Sequence, residues 1–347
     1  MSNIFTPLTL PNGQIVPNRL CKAAMEENMA EAGQIPGSAL VNLYQKWAEG
    51  SPGMILTGNV MIDPSAMTGA GGVVLEQDSL GDARVRNRFE AWAKAGKSGG
   101  AQLVMQISHP GRQIYAAQGT QPVSASATQL NMGSDVANKM FSQARALEGD
   151  EIRGIIRRFA ETALAAQSAG FDGVQIHAAH GYLLAQFLSP LTNLREDEWG
   201  GSLENRARLL LEVIRAIRAR VTDSFIVGVK LNSADFQKGG FDVEDARQVV
   251  EWLNAEAVDF VEISGGSYES AAMMGSAADG RLNSTERREI YFLDFAKDIA
   301  KTAKMPLMVT GGVTKRATAQ MALTEDGVDM IGIARAMAYH PMLPAQW

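Results

Sequence analysis

An α/β architecture, a single (β/α)8 or TIM barrel with an N-terminal extension and long loops over its C-terminal face, is the fold the sequence predicts. Three observations predict it. Eight short apolar runs alternate with stretches of helical period. Polar or glycine residues stand at the end of every run, the face where barrels gather their chemistry. No linker-like change of composition interrupts the 347 residues, so 1–347 reads as one domain.

Taken in order, the expected strands are Leu20 to Met25, Gly53 to Asn59, Gln102 to Ile107, Gly173 to His177, Phe225 to Leu231, Asp259 to Ser264, Pro306 to Gly311 and Asp329 to Ala334. Their apolar composition suits strands covered on both faces. The expected helices are Ser38 to Glu49, Ala83 to Lys97, Asp150 to Ser168, Leu203 to Val221, Val243 to Ala255, Arg287 to Ala303 and Lys315 to Thr324, several preceded by a Ser, Asp or Thr able to cap them. An open doubly wound sheet is the structural competitor. The strand ends favour the barrel, because Met25-Glu26, Gly58-Asn59, Gln106, His177, Lys230, Ser264-Gly265-Gly266, Gly311-Gly312 and Arg335 can share one site only if the sheet closes. The excursions 108–148 and 265–286 are expected to lie over the barrel mouth.

Composition narrows the function classes. A hydrophobic share of 46%, 20% charged residues and 34 glycines describe a globular chain with many tight turns. The net charge of -6, with no block of Lys or Arg, offers nothing to a polyanion, so nucleic acid is not an expected partner. Cys21 is the single cysteine, which rules out an internal disulfide and a cysteine-ligated cluster and points to a cytoplasmic chain. No run reaches the roughly 18 apolar residues of a membrane span.

The most informative stretch is His177-Ala-Ala-His180-Gly-Tyr182, set where a buried strand meets the mouth. Neutral imidazoles each donate one hydrogen bond, so two of them can grip a carbonyl oxygen and make a conjugated β-carbon receptive to hydride. A nearby phenol can then supply a proton. A metal site is the other functional reading, but no Asp, Glu or Cys stands at ligand spacing beside the pair, and no metal is expected. Downstream runs Ser189-Pro190, Asn193, Arg195, Asp197, Gly200-Gly201-Ser202 and Asn205-Arg206. In this whole segment the chain resembles the Old Yellow Enzyme family of FMN-dependent ene-reductases.

That resemblance extends through nearly the whole chain and implies a flavin site. It implies that Ala23, Ala24 and Met25 line the flavin ring, that Asn59 meets its pyrimidine edge and that Gln106 hydrogen-bonds it. His177 would serve both cofactor and substrate, with His180 and Tyr182 as its catalytic partners. Lys230 would place a cation beside the ring, and Gly311, Gly312, Ala334 and Arg335 would form a phosphate cradle. The chain departs from the family at three positions. Glu26 and Asn28 stand where some members carry a cysteine and a tyrosine, and Lys230 replaces the commoner arginine, losing its bidentate fork. Glu26 is expected either as an anion near the flavin or as a salt-bridged loop residue.

The function expected is ping-pong hydride transfer from NAD(P)H through non-covalently bound FMN to a small-molecule alkene, an α,β-unsaturated carbonyl or nitro compound. Two rivals remain at this point: a Schiff-base lyase using Lys230, and a flavin-binding protein without turnover. Many relatives are dimers or tetramers, so a homo-oligomer is expected by resemblance alone.

Overall fold

The computed structural model describes residues 3–266, 269, 295–311, 313, 315–325 and 327–347. Its centre is a run of eight parallel strands: β1 (Leu20–Lys22), β2 (Met54–Leu56), β3 (Gln102–Ser108), β4 (Gly173–Ala178), β5 (Ile226–Asn232), β6 (Phe260–Ser264), β7 (Leu307–Thr310) and β8 (Met330–Ile333). Each pairs with its successor, and the sheet closes because Ile331 of β8 registers with Leu20 of β1. Closure eliminates the open doubly wound alternative.

Around it lie α1 (Ser38–Glu49), α2 (Ala83–Lys97), α3 (Gly149–Ser168), α4 (Leu203–Arg218), α5 (Val243–Leu253), α6 (Arg316–Glu325) and the one-turn α7 (Arg335–Tyr339). Side chains of Asp82, Ser202 and Asp242 cap α2, α4 and α5 by accepting from the backbone N–H of Arg84, Asn205 and Asp245. The helices α4 and α5 stop short of their expected ends at Val221 and Ala255. Their last turns tighten to i→i+3 bonds, from Arg220 to Ile217 and from Ala255 to Trp252. Of the helix expected over Arg287 to Ala303, residues 287–294 lie outside the described residues, and 295–299 are helical.

Strands β1 and β2 are shorter than the apolar runs that predict them. Their C-terminal residues peel off into loops after one further bond each, from Ala23 N–H to Ile333 and from Thr57 N–H to Val104. The excursion at 108–148 contains a small parallel pair, Val123–Ser124 with Arg145–Ala146.

The period of two along each strand divides the core into two bodies. Leu103, Met105, Ile107, Val174, Ile176, Val227, Val229, Val261, Ile263, Val309 and Ile331 face outward and meet the helices. Cys21, Met54, Leu56, Val104, Ile226, Phe260, Met308 and Met330 fill the lower barrel, together with Leu8, Leu10 and Val16 from an N-terminal hairpin (Leu8–Thr9 paired with Ile15–Val16). Gly228 makes room there, since a Cβ on it would stand 2.3 Å from the Phe260 ring. The hairpin is the expected N-terminal extension. By plugging the bottom with apolar side chains it leaves the upper interior as the place for polar groups.

Candidate active site

One layer above that apolar plug, the inward positions become polar: Gln106 on β3, Gln175 and His177 on β4, Lys230 on β5, Glu262 and Ser264 on β6, all buried. Burying these groups is tolerable because they pair with one another through hydrogen bonds and one ion pair. Lys230 Nζ lies 3.0 Å from Glu262 Oε1, an ion pair that leaves this oxygen without a hydrogen-bond partner. The other carboxylate oxygen, Oε2, accepts from Gln175 Nε2 at 2.6 Å, and Gln175 Oε1 accepts from Gln106 Nε2 at 2.7 Å. A carboxylate can only accept, so the direction of the whole amide chain is fixed from the Glu262 end. The atom of Gln106 left over from this chain is its carbonyl oxygen.

The three residues expected to be catalytic come together. His177 ends the inward face of β4, in register with Lys230 on β5. The chain then turns through two left-handed residues, His180 at φ 58° and Gly181 at φ 73°. A non-glycine residue seldom adopts that conformation. It is held here by Asn232 Oδ1, which accepts from His180 N–H at 3.1 Å, and by Gln113, whose amide donates to the His180 carbonyl at 3.2 Å. The turn brings the His180 ring to 5.1 Å from that of His177, and the Tyr182 ring to 4.7 Å from it, both nearly edge to face.

Local bonds set the protonation of this group. His177 Nδ1 accepts from the backbone N–H of Ala179 at 3.2 Å, so the proton of a neutral His177 sits on Nε2. His180 Nε2 lies 2.7 Å from the Ser264 hydroxyl. Burial pushes His177 well below the ordinary histidine range, assisted by His180 and the Lys230 charge. Burial followed by Lys230 does the same to His180. Both imidazoles are therefore neutral near pH 7.

Asn59, after β2, donates to the Tyr182 oxygen at 3.4 Å. Its own carbonyl oxygen and the Thr310 hydroxyl on β7 are buried with no hydrogen-bond partner. Orphaned buried acceptors at a barrel mouth are what a polar ring ligand would satisfy. Ala23 is buried in the barrel, and Ala24 and Ala334 pack on the same inner cluster. Met25 is partly buried against the outer core. On the phosphate side, Gly311 has φ 147°, Ala334 is the N-cap residue of α7, and Arg335 is exposed. Gly312 lies outside the described residues.

The salt-bridge expectation for Glu26 is corrected. The local cation belongs to its neighbour: Lys22 Nζ lies 3.3 Å from Glu27 Oε1 and donates to the Leu56 carbonyl at 2.9 Å. Glu26 instead accepts from the Thr68 hydroxyl. Burial pushes its carboxyl above the usual carboxylate range, the Glu27 charge adds to this, and hydrogen bonds from Thr68 and Asn59 oppose it.

Sequence reasoning also missed the network to which Glu27 belongs. Lys22 is fully buried on the outer face of β1, 4.1 Å above the Trp47 ring. Tyr44 donates to Glu27 at 2.6 Å and accepts from Gly58 N–H at 3.1 Å. The network therefore ties the loop after β1 to the loop after β2, the two loops expected to line the ring. The available signal was a lysine inside an apolar strand. Glu262 gave the same signal, an acid between Val261 and Ile263, and was likewise overlooked.

Among the described residues no group of three or more His, Cys, Asp or Glu could hold a metal ion. The upper barrel instead offers two neutral imidazoles, a phenol, an oriented amide and an ion-paired lysine around orphaned acceptors. The fold and this set of donors suit a barrel oxidoreductase built around a planar cofactor that gains negative charge on reduction.

Over residues 3–346 the chain matches the family described as NADH:flavin oxidoreductase / NADH oxidase, and it belongs to that family, the Old Yellow Enzyme group. It is 40% identical to the NADH-dependent flavin oxidoreductase iliE of Hypocrea jecorina (strain QM6a), across 97% of this chain and 87% of that one. The old yellow enzyme homologue from Zymomonas mobilis superposes with a TM-score of 0.82 at 26% identity, covering 99% of this chain and 92% of the other. A 2-naphthoyl-CoA reductase superposes with a TM-score of 0.88 at 26% identity over 99% of this chain, which spans 52% of that longer protein. The protein is thus an NAD(P)H-dependent FMN oxidoreductase. This decides against the lyase alternative, and a lysine held in an ion pair to Glu262 is not presented as a nucleophile.

Proposed function

We propose that the hydride acceptor is the C=C bond of an α,β-unsaturated carbonyl or nitro compound, and that residues 1–347 act as one FMN-binding domain with nicotinamide and alkene using the same pocket in turn. The observation that carries this reading is the convergence of two neutral imidazoles, His177 and His180, beside the Tyr182 phenol. Bound FMN supplies the redox relay, taking hydride from the nicotinamide and yielding it to the acceptor.

The chain's own residues prepare the acceptor. His177 donates from Nε2 to the carbonyl or nitro oxygen, drawing electron density from the conjugated bond. In the tautomer in which the Ser264 hydroxyl donates to Nε2, His180 carries its proton on Nδ1 and is a second donor. Tyr182 protonates the α-carbon, and the hydrogen bond from Asn59 to its oxygen stabilises the charge left on the phenol. Lys230 and Gln106 would hold the ring, Ala23, Ala24, Met25 and Asn59 would line it, and Gly311, Gly312, Ala334 and Arg335 would hold its phosphate. The acceptor is a small molecule; among the described residues no helix is long and apolar enough to cross a membrane.

Anaerobic stopped-flow spectroscopy tests the proposal. NADH or NADPH should bleach the yellow protein, and a cyclic enone should restore the colour while its saturated ketone does not. Recovery no faster with the enone than with the ketone would remove the alkene from the proposal.

A further inference from the structure

Glu262 is an uncommon residue for the centre of a barrel: a carboxylate with no solvent exposure, on the inward face of β6 and in register with Lys230. A buried ion pair of this kind contributes little to stability, because desolvation of two charges offsets their attraction. Its worth therefore lies in the field it sets. The carboxylate stands 3.0 Å from Lys230 Nζ, and its other oxygen holds Gln175 at 2.6 Å. Its charge also reaches across the barrel: after burial, it is the next cause that raises the Cys21 thiol on β1. A ligand lying over Lys230 and Gln106 would feel the carboxylate as well as the ammonium, since little water intervenes to screen either.

We infer that Glu262 is a positioning residue for the flavin, compensating the charge of Lys230 and so holding the reduction potential of the bound ring below the value that an uncompensated lysine would give. The inference rests on the placement of the ring against Lys230 and Gln106 proposed above. A cation beside the ring favours the reduced, negatively charged form over the oxidised one, and a paired anion cancels part of that preference. Glu262→Gln removes the charge and keeps one acceptor, which can take the hydrogen bond from Gln175 while the amide nitrogen replaces the oxygen beside Lys230.

The experiment is a charge cycle read by potential. The midpoint potential of bound FMN is measured by anaerobic dye titration in the wild type, Glu262→Gln, Lys230→Met and the double variant. Glu262→Gln should favour reduced over oxidised flavin by about tenfold, an upward shift of about 30 mV for a two-electron couple. Lys230→Met should move the potential down, and the double variant should return near the wild-type value. A loss of packing would move both single variants the same way, and that result overturns the inference. So does a Glu262→Gln potential equal to the wild type beside a responsive Lys230→Met. Should Glu262→Gln not fold, the step from Lys230→Met to the double variant must carry the same upward shift, and a zero step is equally fatal. A potential indifferent to Lys230→Met overturns the ring placement itself, and the role of Glu262 with it.

Discussion

His180 Nε2 lies 2.7 Å from the hydroxyl of Ser264, a bond that ties the turn after β4 to the end of β6 across 84 residues of sequence. His180 sits in a left-handed conformation, and this is the only ring bond of His180 identified among the described residues. Ser264 therefore governs which ring nitrogen faces the pocket. Replacing Ser264 with alanine should raise the KM for an enone about tenfold, the worth of one hydrogen bond of about 1.4 kcal/mol, while Ser264→Thr should restore it. Steady-state kinetics of the three proteins with one enone measures this.

Tyr182 and the flavin half-reactions separate cleanly. Reduction by NAD(P)H needs no protein acid, whereas alkene reduction needs a proton at the α-carbon. Tyr182→Phe should leave the bleaching rate unchanged and slow reoxidation by an enone by about 10²-fold or more. Equal reoxidation rates in stopped flow would take Tyr182 out of the chemistry.

Three histidines make stability depend on pH. Burial pushes His109 down to about 4, with Asp63 opposing the shift and Arg158 adding to it, and pushes His177 and His180 well below the ordinary value. Each binds a proton more readily when unfolded, near pH 6.5, than when folded. Folding free energy is therefore unaffected above about pH 6.5 and falls below it, by about 1.4 kcal/mol per pH unit for each histidine until its folded value is reached. Urea titrations of the holoenzyme at pH 7.5, 6 and 5 should show the midpoint falling, and His109→Gln should flatten that fall by about a third.

Glu27 is the counter-charge of a lysine that water cannot reach. Glu27→Gln leaves the Lys22 ammonium without a counter-charge, beside neutral acceptors and two aromatic faces, an arrangement that costs about 3–5 kcal/mol. Glu27→Gln/Lys22→Met should recover most of that loss, since a neutral pair needs no partner. Chemical denaturation of the two variants tests it. Because Tyr44 links Glu27 to Gly58, the single variant should also bind FMN more weakly.

Much of the barrel was legible because its rules are local. Helices α1 and α2 run from Ser38 to Glu49 and from Ala83 to Lys97, as the apolar period and the cap at Asp82 indicate. The histidine pair and Tyr182 were legible because six consecutive residues carry them. The Lys22, Glu27 and Tyr44 network was not, since its members come from a strand, a loop and a helix that meet only once packed. The same is true of Gln175 and Glu262, 87 residues apart, whose bond exists only because β4 and β6 both take their register from β5 between them.

The sequence by itself determined the alternation of inward and outward side chains, the stock of donors at the strand ends and the family to which those donors belong. Closure of β8 onto β1, the partner of the His180 ring and the pairing of Lys230 with Glu262 were decided by the tertiary structure. The physical reason is range: periodicity and capping act between residues a few positions apart, whereas a buried charge or a ring tautomer depends on whichever distant strand supplies its partner.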